Sequence, residues 1–267
     1  MKHLFDHRRE IEAAVDGKRL LLMLDFDGTL APIAPTPAEA ELPPETRFEL
    51  ERLVKSDGCT VAVVSGRALG DVRDKVRIDG ITYVGNHGLE YVRPNEEPRL
   101  LAPPQPGDAL ERMRESLETS LAPFEGIGIE DKGYSFAVHY RLVKPEERPL
   151  VKEAVAEAVR ARGSAGSWEI RAGAMVLEVR PPLDCDKGTI VTGLLDLEEH
   201  LHGTSERFAM YIGDDATDED AFKALRGRGV PVLVGAPRIS FAEYYLDGPR
   251  EVRDLLRMLA DRYPEAR

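Results

Sequence analysis

Cysteine is scarce in this chain, with two in 267 residues. Cys59 and Cys185 lie far apart and in no ligand-like spacing, so both read as buried thiols. No apolar run approaches membrane-spanning length. The N-terminal stretch MKHLFDHRREIEAAVDGKRL carries acids among its apolar residues and lacks a signal-peptide core, so a reducing cytosol is the expected compartment. Positive charge is also in deficit. Acidic residues number 48 against 36 basic, a formal net charge of -12, which disfavours long-range attraction to nucleic acid or an anionic membrane. A small anionic substrate stays open, because a local cluster of cations outweighs a distant negative field, and a bound metal would neutralise part of the acidic excess.

What is present is ordinary for a globular protein: 42% hydrophobic and 31% charged residues. The length suggests two domains. Residues 3–16 have helical spacing. LLMLDFDGTL is a short apolar run stopping at Asp25, the pattern of a buried parallel strand, and open α/β sheets place ligands at such C-terminal ends. Pro44 is placed to open a helix through about Ser56. CTVAVVSGR repeats the pattern of a strand ending in a polar turn; ITYVG, FAMYIGDD and VPVLVG follow later, separated by helical stretches near 187–200, 217–226 and 249–262. This βα alternation predicts a doubly wound parallel sheet.

The middle of the chain breaks the rhythm. LLAPPQPGD leads into a helix near 108–121, then two strands, GIGIEDK and YSFAVHYR. A helix near 146–162 and the strands WEIRAG and AMVLEVR repeat the order of helix, strand, strand. The strands alternate as in an antiparallel sheet with one covered face. The expected organisation is an α/β core of residues 1–103 and 182–267, with an inserted α+β lid, or cap domain, over 104–181. Trp168 is expected in the lid's core.

Asp25-Phe26-Asp27-Gly28-Thr29 is the main chemical signal. A carboxylate at a strand end can attack phosphorus while its neighbour two residues on handles protons. Gly28 permits a tight departure, and Thr29 can hydrogen-bond locally. The rival reading, a calcium loop, fails: it needs glycine sixth and glutamate twelfth, where Leu30 and Thr36 stand. GDDATDED puts five carboxylates in the seven residues 214–220. They repel one another unless a cation or a helix N-terminus offsets them. Thr217 would then be the N-cap, with Glu219 and Asp220 complementing the dipole and Asp214 taking Mg²⁺. Ser65-Gly66-Arg67 lies between a strand and a helix, where backbone N–H groups favour phosphate. Lys187 could offset charge on phosphate and Asp25. His3 and His7 stand four apart on the expected terminal helix, and His200 and His202 lack a convincing third ligand; water is the simplest partner for these.

The four motifs in this order resemble the haloacid dehalogenase superfamily. SGR at 65–67, GNHGLE at 85–90, EDKGYSFAVHYR at 130–141, MVLEVRP at 175–181 and GDDATDEDAF at 213–222 are, more narrowly, similar to trehalose-6-phosphate phosphatases. The likeness covers nearly the whole chain. It implies Asp25 as nucleophile and Asp27 as acid and base. Mg²⁺ would be held by Asp25, the carbonyl of Asp27 and Asp214, with Asp218 nearby or through water. Ser65, Gly66 and Lys187 would hold phosphate. Arg67, Asn86, His87 and Glu90 of the core, with Lys132, His139, Arg141 and Glu178 of the lid, would face the sugar. One departure is PPLDCDKG, where the family often has a glycine a few residues before the lysine. A monomeric cytoplasmic hydrolase of a small sugar phosphate is expected. A phosphosugar mutase and a non-catalytic sugar-phosphate sensor are the rivals; Asp25, Asp27, Lys187 and Asp214 together argue against the sensor.

Overall fold

A computed structural model describes residues 1–101, 107–162, 168–173, 175–181, 186–203 and 207–265. The elements in chain order are β1 (Lys2–His3), α1 (Arg8–Val15), β2 (Arg19–Leu24), α2 (Pro44–Val54), β3 (Cys59–Val64), α3 (Leu69–Val76), β4 (Thr82–Gly85), β5 (Glu90–Val92) and β6 (Arg99–Leu100). Then come α4 (Gly107–Leu121), β7 (Gly128–Asp131), β8 (Phe136–His139), α5 (Arg148–Arg162), β9 (Glu169–Gly173) and β10 (Val176–Arg180). The chain closes with α6 (Lys187–His202), β11 (Arg207–Gly213), α7 (Asp218–Leu225), β12 (Val230–Val234), β13 (Tyr244–Leu246) and α8 (Pro249–Arg262). It divides into two compact units, Met1–Leu101 with Cys185–Arg267, and Ala102–Asp184.

In the first unit the sheet order is β1-β13-β12-β11-β2-β3-β4-β5-β6, parallel from β1 to β4 and antiparallel beyond. Successive residues of its central strands serve opposite faces. Leu20, Leu22 and Leu24 join one core with Val61, Val63, Met210 and Ile212, under α1, α2, α3 and α8. Leu21 and Met23 join the other with Ala62, Val64, Ala209 and Tyr211, under α6 and α7. A strand covered on both sides must be apolar throughout, which explains the unbroken run before Asp25. Each enclosed leucine contributes about 1.5–3 kcal/mol. The doubly wound sheet is as expected from the sequence. From β2 the chain runs to β3 on one side, and β11 later fills the other. This reversal opens a crevice at the C-terminal ends of β2 and β11.

The N-terminus corrects the expectation of one helix over 3–16. His3 lies in β1, paired with β13, and a short 3-10 turn, Leu4–His7, precedes α1. His3 and His7 therefore do not share a helix face; they bond Glu251 (3.0 Å) and Glu10 (2.8 Å). Cys59 is partly buried, and burial pushes its thiol up to about 12. Cys185 lies outside the described residues.

In the second unit β7-β8-β10-β9 form an antiparallel sheet. Phe136, Val138, Leu177 and Val179 pack with Met113 and Leu117 of α4 and Val151 and Val155 of α5, and Trp168 packs partly buried against them. The alternate residues of β10, Glu178 and Arg180, occupy the opposite face by the period of two.

Candidate active site

Asp25 is the first residue beyond β2, and its N–H donates to the Ile212 carbonyl of β11 (2.9 Å). The carboxyl is thereby held between the two strand ends, only 5% exposed. Lys187 opens α6 after the N-cap Asp186, whose side chain accepts from the Thr189 N–H. Its ammonium lies 3.0 Å from Asp25 Oδ1 and 2.7 Å from Asp218 Oδ1. Asp218 is fully buried and its oxygens are engaged. Oδ1 also accepts from the Tyr211 hydroxyl (2.7 Å), and Oδ2 accepts from the Asp215 N–H (2.9 Å). Thr217 stands at the N-cap of α7 as expected, but its side chain makes no capping bond; the Asp218 carboxylate takes the Asp215 donor instead.

Burial dominates the electrostatics. It raises the Asp25 carboxyl well above the usual range, Lys187 pulls it back, and Asp218, Asp214 and Asp27 add to the rise. Asp214 is pushed up to about 7 by burial and then by Asp218. Burial lowers Lys187, but Asp218 and Asp25 outweigh it, so the ammonium is held above its ordinary value.

Oxygens of Asp25, Asp214 and Asp218 all lie within 4.8 Å of one another. Asp214 Oδ1 is buried without a hydrogen-bond partner among the described residues. Gly28, at φ +76°, brings the backbone so close that a Cβ there would collide with the Asp214 carboxylate. Three crowded carboxylates and an orphaned acceptor fit a hard divalent cation. Asp25 and Asp214 are the better placed ligands, because Asp218 already serves three donors. The group His3, Asp247 and Glu251, also within such reach, sits at the β1–β13 edge. There Glu251 Oε2 accepts from the Asp247 N–H and bonds His3, so that group is closed by its own bonds.

Asp27 has a partner that the sequence did not suggest. Arg67 Nε and Nη2 donate to Asp27 Oδ2 (2.6 Å) and Oδ1 (2.8 Å). Arg67 was expected to face the sugar. It is 7% exposed at the side chain and also bonds Asp71 (2.5 Å) and the Pro37 carbonyl (3.0 Å). Asp71 lies one turn along from Arg67, at the start of α3, and captures its third nitrogen. The Thr29 hydroxyl, expected to bond locally, is buried without a hydrogen-bond partner among the described residues.

Ser65 follows β3, 1% exposed, and its Oγ accepts from the Arg67 N–H (3.2 Å). The turn after β4 is stitched to it: the Asn86 N–H donates to the Arg67 carbonyl and the His87 N–H to that of Ser65. Asn86 and His87 are both left-handed, at φ 49° and 54°, a strained pair for residues with side chains. A Cβ at Gly66 would strike the His87 ring, so Gly66 allows imidazole to lie on the Ser65–Arg67 turn. The Asn86 amide donates to Glu90 Oε2 (2.6 Å), which also accepts from the Leu69 N–H (3.4 Å) at the start of α3.

In the second unit, His139 lies on β8 and Glu178 on β10, whereas Lys132 and Arg141, expected on strands, stand just beyond β7 and β8. Glu178 accepts from the Ser135 hydroxyl (3.1 Å), and Lys132 lies 3.9 Å from it. His139 bonds Glu130 (2.8 Å).

The family model for trehalose-phosphatase matches residues 23–250. The chain belongs to that family. A trehalose 6-phosphate phosphatase of Zea mays is 34% identical over 266 residues, which cover 94% of this chain and 72% of that protein. The trehalose-phosphate phosphatase of Mycobacterium tuberculosis is 36% identical over 255 residues, 92% of this chain. This chain spans 62% of that mycobacterial relative's length. The solved C-terminal domain of the Candida albicans trehalose-6-phosphate phosphatase superposes with a TM-score of 0.83 at 25% identity, covering 96% of this chain and 97% of that one.

Within this trehalose-phosphatase chain, sequence reasoning missed Tyr211, Glu130 and the role of Arg67. A tyrosine in the middle of an apolar strand was a usable signal, because a buried phenol seeks a partner. Glu130 becomes visible only through the pairing of β7 with β8.

Proposed function

We propose that this chain is a Mg²⁺-dependent phosphatase that hydrolyses trehalose 6-phosphate to trehalose and phosphate through a phospho-aspartate on Asp25. The observation that carries this reading is the Lys187 ammonium 3.0 Å from Asp25 Oδ1, with the Asp214 carboxylate nearby at the end of the neighbouring strand β11. It supports a reading in which Asp25 is the nucleophile, Lys187 the countercharge for phosphate and Asp214 a cation-binding carboxylate. The names of the relatives supply the sugar.

In this mechanism a carboxylate oxygen of Asp25 attacks phosphorus and the bond from phosphorus to the sugar oxygen breaks. Asp27 gives its proton to that departing oxygen. Asp27 then takes a proton from water, whose oxygen attacks phosphorus while the bond to Asp25 breaks and phosphate leaves. Ser65, the Gly66 turn and Lys187 hold the phosphoryl oxygens. Mg²⁺, held by Asp25, the Asp27 carbonyl and Asp214, with Asp218 next to it, would neutralise charge on the phosphoryl group. The lid, residues 104–181, supplies Lys132, His139, Arg141 and Glu178 to read sugar hydroxyls, while Asn86, His87 and Glu90 shape the core side. Among the described residues no helix is long and apolar enough to cross a membrane. The net charge of -12 disfavours nucleic acid as a partner, and the reading we propose is a cytosolic monomer acting on a small molecule.

Phosphate release from a panel of sugar phosphates, with Mg²⁺ and after chelation, tests the reading. Release from trehalose 6-phosphate should vanish on chelation and return with Mg²⁺. Conversion of a sugar phosphate with its ester conserved would point to the mutase; inertness toward the whole panel would overturn the assignment.

A further inference from the structure

The second unit contains a buried cation with no hydrogen bond among the described residues. Arg180, at the end of β10, is 2% exposed, and Nε, Nη1 and Nη2 all lack a hydrogen-bond partner among the described residues. Its ion pair is a long one, 3.7 Å to Glu169 on β9, which is paired in register with it and is itself 43% exposed. A guanidinium stays charged at any ordinary pH and offers five donors in a fixed fork. Burying it with those donors unmet is among the costlier arrangements a fold can hold. The β10 alternation turns Arg180 away from Leu177 and Val179, which pack under α4 and α5, and onto the face that carries Glu178.

That face is mixed in charge. Lys132, Arg141, Arg171 and Arg180 stand with Glu130, Glu169 and Glu178 on or beside the same strands. A second phosphate or a carboxylate would meet three acids there. A neutral polyol, whose hydroxyls both donate and accept, suits both the donors and the acceptors. We propose that Arg180 is a specificity-determining residue that donates to hydroxyl oxygens of the substrate's sugar. The inference rests on the sugar-phosphate reading given above and adds to it the group that answers the orphaned guanidinium.

The test compares Arg180→Met and Arg180→Lys with the wild type of the full chain. Both trehalose 6-phosphate and p-nitrophenyl phosphate are assayed with Mg²⁺, and thermal unfolding and the binding of trehalose alone are measured by calorimetry. Methionine matches the buried stem and removes the charge. It should leave the melting temperature unchanged or higher, because removing an unpartnered buried charge relieves a cost. kcat/KM for trehalose 6-phosphate should fall roughly 10- to 100-fold, the scale of lost hydrogen bonds from a charged donor, while that for p-nitrophenyl phosphate stays within about twofold. Trehalose binding should weaken in parallel, and lysine should restore part of both losses. A fall in melting temperature with equal loss on both phosphates would make Arg180 structural and overturn the proposal. Unchanged kcat/KM for trehalose 6-phosphate in Arg180→Met would overturn it as well. If the wild type shows no preference for trehalose 6-phosphate over the small ester, the sugar reading itself has failed, and that outcome is visible before any variant is made.

Discussion

Arg67 grips both carboxylate oxygens of Asp27, at 2.6 and 2.8 Å, and is itself anchored by Asp71 and the Pro37 carbonyl. Its guanidinium carbon lies 5.3 Å from the centre of the Phe26 ring, so the clamp reaches across the whole Asp25–Asp27 turn. A carboxylate so held has a fixed direction. In the proposed mechanism one oxygen must leave the guanidinium before it passes a proton to the sugar, which would make Arg67 a positioning residue for Asp27.

Arg67→Met should lower kcat for trehalose 6-phosphate at least tenfold with little change in KM. It should also cost about 1–3 kcal/mol of stability through lost charged hydrogen bonds. Steady-state kinetics and urea unfolding check the two effects. A loss expressed mainly in KM would return Arg67 to the substrate-contacting role that its place in the SGR turn suggested.

Asp25→Asn should remove turnover while leaving a folded chain that still binds a phosphate analogue. The motive is its position between the ends of β2 and β11, beside Lys187. Phosphate release above about one hundredth of the wild-type rate, far more than loss of a nucleophile allows, would exclude it as the attacking group.

Lys187 is 2% exposed between two buried acids, Asp25 and Asp218. Lys187→Met leaves those acids facing each other without a countercharge, and should cost about 3–5 kcal/mol near neutral pH. The penalty should shrink in acid, because burial raises the Asp25 carboxyl and readies it to accept a proton. Denaturant unfolding at pH 5 and pH 8 measures this. A cost that is the same at both values would place the effect in lost packing instead of charge.

Asp214 gives the metal-free chain its own pH response. The folded carboxyl is pushed up to about 7 against an ordinary 3.8, so the folded chain holds this proton more tightly than the unfolded one. Its contribution to stability is full below the ordinary value and is lost as pH rises through about 7. Metal-free melting temperatures should carry that decline, Asp214→Asn should flatten it, and Mg²⁺ should add most stability above the window, where the carboxylate is ionised. Melting curves of both proteins from pH 4 to 8.5, with and without Mg²⁺, decide it. An equal slope in the two metal-free proteins would remove Asp214 as the source.

The central sheet could be read from the chain because the stretch of a strand buried on both faces must be apolar, as β2 is from Leu20, β3 from Val61, β11 from Phe208 and β12 throughout. The two strands at each margin of the sheet could not. β1 and β6 have two residues each, and β5 and β13 three, too short for any period; they exist because a neighbouring strand offers unpaired backbone groups. The lid's repeated order of helix and two strands was legible because its apolar residues alternate over a single covered face. The positions of Asp25, Asp27 and Asp214 were legible too, since each follows an apolar run into a polar turn.

By itself the sequence determined where the apolar strands end and which polar residues follow them. Only the tertiary structure decided what each is bonded to. Asp218 is drawn to Lys187 and Tyr211, Asp27 is clamped by Arg67, and Arg180 is left without a hydrogen-bond acceptor among the described residues. These partners lie 7 to 40 positions apart where they are paired. Their distances follow from how strands are ordered and helices dock, and no local propensity encodes that. A charged side chain's role is set by the charges it meets after burial, when solvent no longer screens them.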